Sequence, residues 1–253
     1  MVRLLVVNPN ISTNVTALIE SEAKRSASPG TEITAVTAAF GVAYIETRFE
    51  AMIGAHAVAE QIAEHLPGHD GVVVAAFGDP GLMALREALP VPVTGLTEAA
   101  LATAIQLGNR FSIVSISPRM RGWYLEAVHA YHLMGRLASF RSLGAAPANL
   151  GSVQQDEGER LVELAHRCVR EDGADVIVLA GAPLAGLART IKHRLPVPAV
   201  DGVSCAISQI EALVRMQPVK AREGSYAGVP VKPNQGLSPA MQALIARCEA
   251  KSQ

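Results

Sequence analysis

An internal duplication constrains the fold of this chain more than any other feature of its sequence. The segment ALPVPV at 88–93 recurs as RLPVPA at 194–199. Two copies of so long a unit are too few for a solenoid, so the repeat predicts two α/β lobes related by a pseudo-two-fold axis. We expect the site in the cleft where equivalent turns face each other. In each half an apolar run and a Gly/Pro turn precede the repeated segment, at 71–76 and 77–82 and again at 175–180 and 181–186.

The composition agrees with parallel strands buried on both faces and covered by helices. Of the 253 residues, 49% are hydrophobic and only 4% aromatic, as expected for such a fold. Strand-like and helix-like segments alternate throughout, which predicts parallel pairing with right-handed crossovers. Among the predicted helices are 119–132 and 184–193. We assign 1–105 with 212–253 to the first α/β lobe and 106–211 to the second.

Several classes of function find no support in the sequence. The net charge is −1 and no basic run is present, so nucleic acid is not an expected partner. The apolar stretches are too short to span a membrane, and no signal-peptide pattern precedes the first strand, so we expect a cytoplasmic protein. No GxGxxG follows that strand and no GxxxxGK[ST] occurs, so no nucleotide cofactor is expected.

Histidines and cysteines show no metal-ligand spacing. The seven histidines are scattered and the three cysteines form no CxxC pair, so we expect no metal. Cys168 and Cys248 follow apolar positions at helical spacing, which predicts small buried side chains. Cys205 follows 201–204 near a predicted helix N-terminus, a position that lowers a thiol pKa. It is a candidate for acid–base chemistry, with packing as the alternative.

Ligands of parallel α/β sheets bind beyond the carboxyl ends of the strands, so the turns at those ends are the candidate site. Glycines there let the main chain approach a ligand, and the helix N-termini that follow favour anions. The alternative is that Gly and Pro simply make tight turns. The predicted substrate-binding residues are Asn8, Asn10, Tyr44, Ala76, Phe77, Gly78, Ser115, Ser117, Gly181, Ala182 and Pro183.

Three segments together resemble the aspartate/glutamate/hydantoin racemase superfamily. They are Asn8-Pro9-Asn10 with Ser12-Thr13, the turn 77–82, and the stretch 198–203. The first two point to the hydantoin/allantoin racemase branch. The resemblance implies two Rossmann-like lobes, no cofactor, a small anionic or cyclic-imide substrate and a homo-oligomer. It also implies two cysteines on opposite faces of the substrate, one removing the α-proton and the other returning one.

The sequence departs from this pattern at both cysteine positions, which hold Ala76 and Gly181. Neither residue transfers a proton. Either Ala76 is an engineered replacement or the chain belongs to a cysteine-less branch, and the coherent turn 181–186 favours the second. In this respect the chain is similar to relatives described as hydrogenase expression proteins.

Three residues are candidates to replace the missing thiols. Glu46 lies in a loop that borders the substrate in the family, where a carboxylate can act as a base if burial raises its pKa; the alternative is an ordinary solvated loop charge. Asp79 adjoins the first turn, although its position also suits a cap of the helix that follows. Cys205 is the third.

The leading prediction is a cofactor-independent isomerase or racemase acting on a small carboxylic acid or cyclic ureide, such as a hydantoin or allantoin. Backbone amides of the two turns would stabilise an enolate while the α-proton is transferred. The alternatives are a lyase or decarboxylase in the same cleft, and a non-catalytic accessory binding protein.

Overall fold

Eight strands form two parallel sheets of the same topology. In this computed structural model residues 1–145 and 149–250 are described, the last four without side chains, so the prediction for Cys248 lies outside the described residues. The first sheet has the order β2-β1-β3-β4 and the second β6-β5-β7-β8, which confirms the predicted α/β fold. The strands are β1 (Val2–Asn8), β2 (Thr31–Thr37), β3 (Gly71–Val74), β4 (Val93–Gly95), β5 (Phe111–Ser115), β6 (Leu137–Ser142), β7 (Val176–Ala180) and β8 (Ala199–Asp201).

Helices follow the strands in nearly the predicted places. They are α1 (Thr13–Ser26), α2 (Arg48–His65), α3 (Leu82–Ala88), α4 (Leu96–Leu107), α5 (Arg121–Ala130), α6 (Val153–Arg170), α7 (Leu187–Ile191), α8 (Gly202–Met216) and α9 (Pro239–Ala250). The prediction of single helices over 119–132 and 184–193 was wrong. Short 3₁₀ turns at Pro118–Met120 and Ala182–Leu184 precede α5 and α7, because Pro fits a first turn and Gly186 interrupts the second segment.

Local capping explains where several helices begin. The Ser12 side chain accepts from Val15 N to cap α1. Thr47 and Glu50 form a reciprocal capping box at α2. Gly81 and Gly186 precede α3 and α7 with almost the same left-handed conformation, at φ 78°, ψ 1° and φ 78°, ψ −6°. The duplication of the sequence is therefore visible in the main chain of the two turns.

Helices α4 and α8 are exchanged between the two sheets. Helix α4 leaves the first sheet but packs mainly on β7 and β8, whereas α8 leaves the second sheet and packs mainly on β3 and β4. The two helices also pack against each other. A continuous set of buried apolar side chains consequently runs from one sheet to the other. In the lobe division predicted from the sequence, each helix contacts the strands of the opposite lobe.

A smaller apolar cluster covers the other face of the first sheet. It joins Leu5 and Val72 to Val58 and Ile62 of α2 and to Leu244 of α9. Among the described helices, none is long and apolar enough to cross a membrane.

Replacing Gly71 by alanine tests the exchanged position of α8. An added Cβ would lie 2.9 Å from both Ile210 Cγ1 and Val214 Cγ2 of α8. We expect Gly71→Ala to lower the free energy of unfolding by about 1–3 kcal/mol, because such overpacking forces side chains from their rotamers. Urea denaturation measures the change.

The matched control is Gly158→Ala in α6, where an added Cβ meets nothing within 4 Å. This variant should gain roughly 0.5–1 kcal/mol from helix propensity. A Gly71→Ala protein as stable as the unmodified chain would mean that α8 does not pack on β3.

Candidate functional site

The carboxyl ends of the two sheets meet at a small cavity lined by both halves of the chain. Asn10, Tyr44, Ala76 and Phe77 line it from the first half. From the second half come Gly181, Ala182 and Pro183, with Ile116 and Tyr124. The structure thus brings seven of the eleven predicted binding residues to one cavity. Its volume is about 30 Å³, enough for water but not for a cyclic ureide, so a substrate must move the walls apart to enter.

The turn after β1 presents Asn10 to the cavity and uses Asn8 to hold itself together. Asn8 is buried, and its Nδ2 donates to Asn10 Oδ1 at 3.0 Å and to Thr16 Oγ1 at 3.0 Å. Asn10 Oδ1 also accepts from Ser12 N at 2.9 Å. Among the described residues none accepts from Asn10 Nδ2. Asn10 therefore offers a donor to the cavity, whereas Asn8 is a turn residue.

Several backbone amides in the two turns at the cavity have no hydrogen-bond partner among the described residues, and those of Phe77 and Gly181 are two of them. Within residues 1–145 and 149–250, no acceptor bonds the N–H of Phe77 or of Gly181. These amides occupy neighbouring positions in the two pseudo-equivalent turns, one directly after Ala76 and the other directly after β7. Unbonded N–H groups at such a place suit a carboxylate, an imide oxygen or an enolate oxygen.

Gly78, in contrast, does not line the cavity, contrary to the prediction. Its N–H donates to Thr97 Oγ1 of α4. Gly78 has φ +100°, and an added Cβ would lie 2.1 Å from Trp123 Cζ2. Glycine is needed there because Trp123 packs directly on the main chain, not because a ligand approaches it.

Gly181 stands at one of the two positions where the resemblance implies a cysteine, and its backbone conformation favours glycine. Its φ of +125° and ψ of 137° are unfavourable for any residue with a Cβ. Ala76 has no positive φ. A cysteine is therefore compatible with the main chain at position 76 but strained at position 181.

Asp79 does not cap the helix that follows it, so that part of the prediction was wrong. The carboxylate crosses to α4, where Oδ1 accepts from Thr97 N at 2.8 Å and Oδ2 from Glu98 N at 2.9 Å. Burial raises the pKa of Asp79 to about 6, although the two amide hydrogen bonds oppose this shift. Asp79 is 8% exposed and is not among the residues that line the cavity.

Cys205 has an environment opposite to the predicted one. It lies in the first turns of α8, but burial raises its thiol pKa to about 12, so the expectation of a lowered pKa was wrong. The side chain belongs to the apolar core and not to the cavity lining. Cys168 is fully buried in the same core, as predicted.

Ser115 and Ser117 are not brought to the cavity. Ser115 Oγ donates to Met120 Sδ at 3.6 Å, and Ser117 Oγ accepts from Arg119 N at 3.3 Å. Ile116 between them lines the cavity instead. Successive side chains of an extended segment point in opposite directions, so Ser115 and Ser117 face away from the cavity when Ile116 faces it.

Two tyrosines supply the ionisable side chains of the cavity wall. Burial and the neighbouring Glu46 carboxylate raise the pKa of Tyr44 to about 12. Burial also raises the pKa of Tyr124, which is 2% exposed and packs on Phe77 with ring centroids 4.7 Å apart. No described residue bonds the Tyr124 hydroxyl. Sequence reasoning missed Tyr124, although the pair Trp123-Tyr124 is conspicuous in a chain with 4% aromatic residues.

A larger groove of about 590 Å³ lies along the edge strand β4 and the segment 218–226. Its polar side chains already have partners: Arg86 bonds Glu98, and Gln209 Nε2 donates to Ala99 O at 2.8 Å. It contains none of the predicted site residues. Among the described residues, no group of three His, Cys, Asp or Glu could hold a metal ion.

Comparison with known proteins points to one family. Residues 4–210 match the family described as Asp/Glu/Hydantoin racemase. The chain is 36% identical over 231 residues to a hydantoin racemase from Paenarthrobacter aurescens, covering 88% of this chain and 96% of that one.

Solved structures agree with this assignment. The structure of an allantoin racemase from Klebsiella pneumoniae superposes with a TM-score of 0.90 at 36% identity, covering 95% of this chain and 99% of that one. For an allantoin racemase from Pseudomonas fluorescens the TM-score is 0.86 at 36% identity, with 92% and 100% covered.

Cysteine substitutions at positions 76 and 181 distinguish the effect of a new side chain from the effect of a strained backbone. The free energy of unfolding of Ala76→Cys should lie within about 1 kcal/mol of that of the unmodified chain. That of Gly181→Cys should be about 1–3 kcal/mol lower because of backbone strain. In thermal denaturation the second loss corresponds to a decrease in Tm of roughly 2–12 °C.

Gly181→Ala should lose as much as Gly181→Cys, because the positive φ and not the thiol is the cause. Gly144→Ala is the matched control, since an added Cβ there meets nothing within 4 Å and its φ is not positive. Stability of Gly181→Ala equal to that of Gly144→Ala would contradict the strained turn.

Proposed function

Since this chain belongs to the Asp/Glu/hydantoin racemase family, we propose that it is a cofactor-independent isomerase that exchanges the α-proton of a small cyclic ureide or amino-acid derivative. The observation that carries the proposal is the cavity between two pseudo-equivalent turns, with the unbonded amides of Phe77 and Gly181 at its wall. Hydantoin and allantoin, the substrates named for the relatives, both carry ring carbonyls next to an acidic carbon.

The two amides stabilise the charge that develops when the α-proton leaves. Removal of that proton places negative charge on the adjacent carbonyl oxygen, which becomes an enolate oxygen. Fixed N–H donors in a largely apolar cavity lower the energy of this charge without reorganising. Asn10 Nδ2 and the Tyr124 hydroxyl add two further donors.

Tyr44 and Glu46 replace the missing thiol as the base. Tyr44 lines the cavity and is protonated at neutral pH because burial and Glu46 raise its pKa to about 12. The Tyr44 oxygen takes the α-proton while its own proton passes to the Glu46 carboxylate, and the C–H electron pair goes to the enolate. Return of a solvent-derived proton through the same relay exchanges the α-proton with retention of configuration, and delivery of that proton to the opposite face of the enolate gives the inverted product.

A second candidate, ligand binding without turnover, is favoured by one specific observation. At the two turns where the family resemblance implies thiols, this chain has Ala76 and Gly181. A protein that kept the cavity and its amide donors but lost both thiols would bind a cyclic imide and leave its α-proton in place.

Solvent-deuterium exchange followed by NMR distinguishes the two functions. Purified protein in D₂O is tested with 5-substituted hydantoins, allantoin and aspartate-like acids, each against an enzyme-free sample. We expect exchange at the α-carbon, reduced at least about 100-fold in Glu46→Gln and in Tyr44→Phe, as is usual on loss of a general base.

Matched controls are Glu32→Gln, at an exposed position of β2, and Tyr226→Phe, at an exposed position of the C-terminal segment. Both should keep the exchange rate. Exchange that survives in Tyr44→Phe and Glu46→Gln would remove these residues from the mechanism. Ligand-induced stabilisation with no exchange would replace the isomerase by the binding protein.

A homo-oligomeric state and a cytoplasmic location, both predicted from the sequence and the resemblance, remain part of this proposal. Size-exclusion chromatography with light scattering measures the first.

A further inference from the structure

We propose that Asp79 is a positioning residue that fixes the substrate-facing turn 76–78 and couples ligand affinity to pH; the ligand half of this inference rests on the proposed function. Asp79 is one of the few non-glycine residues with a positive φ in the described chain, at 49°. Left-handed conformations of this kind persist where the surroundings impose them, often beside active sites.

The main chain of Asp79 closes the turn. Its N–H donates to Ala76 O at 3.2 Å, and its carbonyl accepts from Leu82 N at 3.1 Å. Ala76 and Phe77 lie within this closed turn and line the cavity. The orientation of the unbonded Phe77 amide therefore depends on the conformation of Asp79.

The side chain of Asp79 joins the turn to α4. Its two oxygens accept the amides of Thr97 and Glu98 at the N-terminus of α4. The Thr97 hydroxyl accepts from Gly78 N, and the Thr97 main-chain amide donates to Asp79 Oδ1. One relay thus runs from the carboxylate through Thr97 to the main chain beside Phe77.

The side chain also reaches the second half of the chain. Tyr131 Oη, at the end of α5, donates to Asp79 Oδ2 at 3.2 Å. Helix α5 carries Trp123, which packs on Gly78, and Tyr124, which lines the cavity. Asp79 is consequently bonded to both elements that shape its side of the cavity.

Gly95 makes room for this arrangement. A Cβ on Gly95 would lie 2.3 Å from Asp79 Cγ. Gly95 is the N-cap of α4 and offers no side-chain cap of its own, so the carboxylate of Asp79 takes both the space and the capping role. At α8 a single residue has both roles. Asp201 is the N-cap, and its side chain accepts from Ser204 N at 3.0 Å.

The proton state of Asp79 changes the number of donors it can hold. As a carboxylate it accepts from Thr97 N, Glu98 N and Tyr131 Oη; as a carboxylic acid it gives up acceptor capacity to its own proton. The charged or titratable groups facing it are Glu98 of α4, which Arg86 of α3 pairs at 2.5 Å, the half-buried phenol of Tyr131 and the buried phenol of Tyr124. Since its pKa is raised to about 6, ligand affinity should be constant above that pH and fall below it.

Thr97→Val and Thr97→Ser test the relay without removing Asp79. Valine leaves Gly78 N without its acceptor, whereas serine keeps the hydroxyl. With the ring compound that gives exchange, we expect KM to rise about tenfold in Thr97→Val, the effect of about one lost hydrogen bond, and to stay near the unmodified value in Thr97→Ser. Equal KM values in the two variants would overturn the relay.

A readout independent of turnover keeps the inference testable if no substrate is found. In ¹⁵N-labelled protein the Gly78 amide resonance should titrate with a midpoint near pH 6. Tyr131→Phe removes one donor to the charged carboxylate, so the midpoint should move to higher pH. A Gly78 resonance that does not titrate between pH 5 and 7, or an unmoved midpoint in Tyr131→Phe, overturns the role of Asp79. Absence of exchange with an intact titration overturns only the proposed function.

Discussion

The exchange of α4 and α8 between the two sheets is the constraint on which the site depends. Each helix begins at the carboxyl end of an edge strand and then covers the strands of the other sheet. This packing gives the chain one continuous core and holds the carboxyl ends of both sheets against the same cavity. The turns at Ala76 and Gly181 face that cavity because their sheets are joined in this way.

The two pseudo-symmetric halves cap the N-termini of α4 and α8 in different ways. Both α4 and α8 need a negatively charged cap for the unpaired amides of the first turn. Asp201 supplies the cap of α8 from the N-cap position itself, whereas Gly95 leaves that position empty for the carboxylate of Asp79. In the first half the buried carboxylate therefore lies in the chain next to the cavity-lining residues Ala76 and Phe77, whereas in the second half the buried carboxylate of Asp201 lies at the start of α8.

Much of the fold and part of the site could be predicted from the sequence, for reasons that particular residues make clear. The spacing of apolar residues and the positions of Gly and Pro located the strands and most helices. The repeated turns located the cavity lined by Ala76 and Gly181. Three-dimensional contacts decided what the sequence could not: that the carboxylate of Asp79 crosses to α4, that Ile116 and not its neighbouring serines faces the cavity, and that Cys205 is desolvated. Tyr124 was missed because only the packing of α5 brings it to the wall.

In the proposed function, the main-chain amides of the two turns hold one ligand oxygen. A crystal structure with allantoin or a 5-substituted hydantoin bound measures this directly. We expect a wider cleft with one ring oxygen within about 3 Å of the N–H groups of both Phe77 and Gly181. A ligand bound instead in the groove beside β4, or one in the cavity with both amides still unbonded, would contradict it.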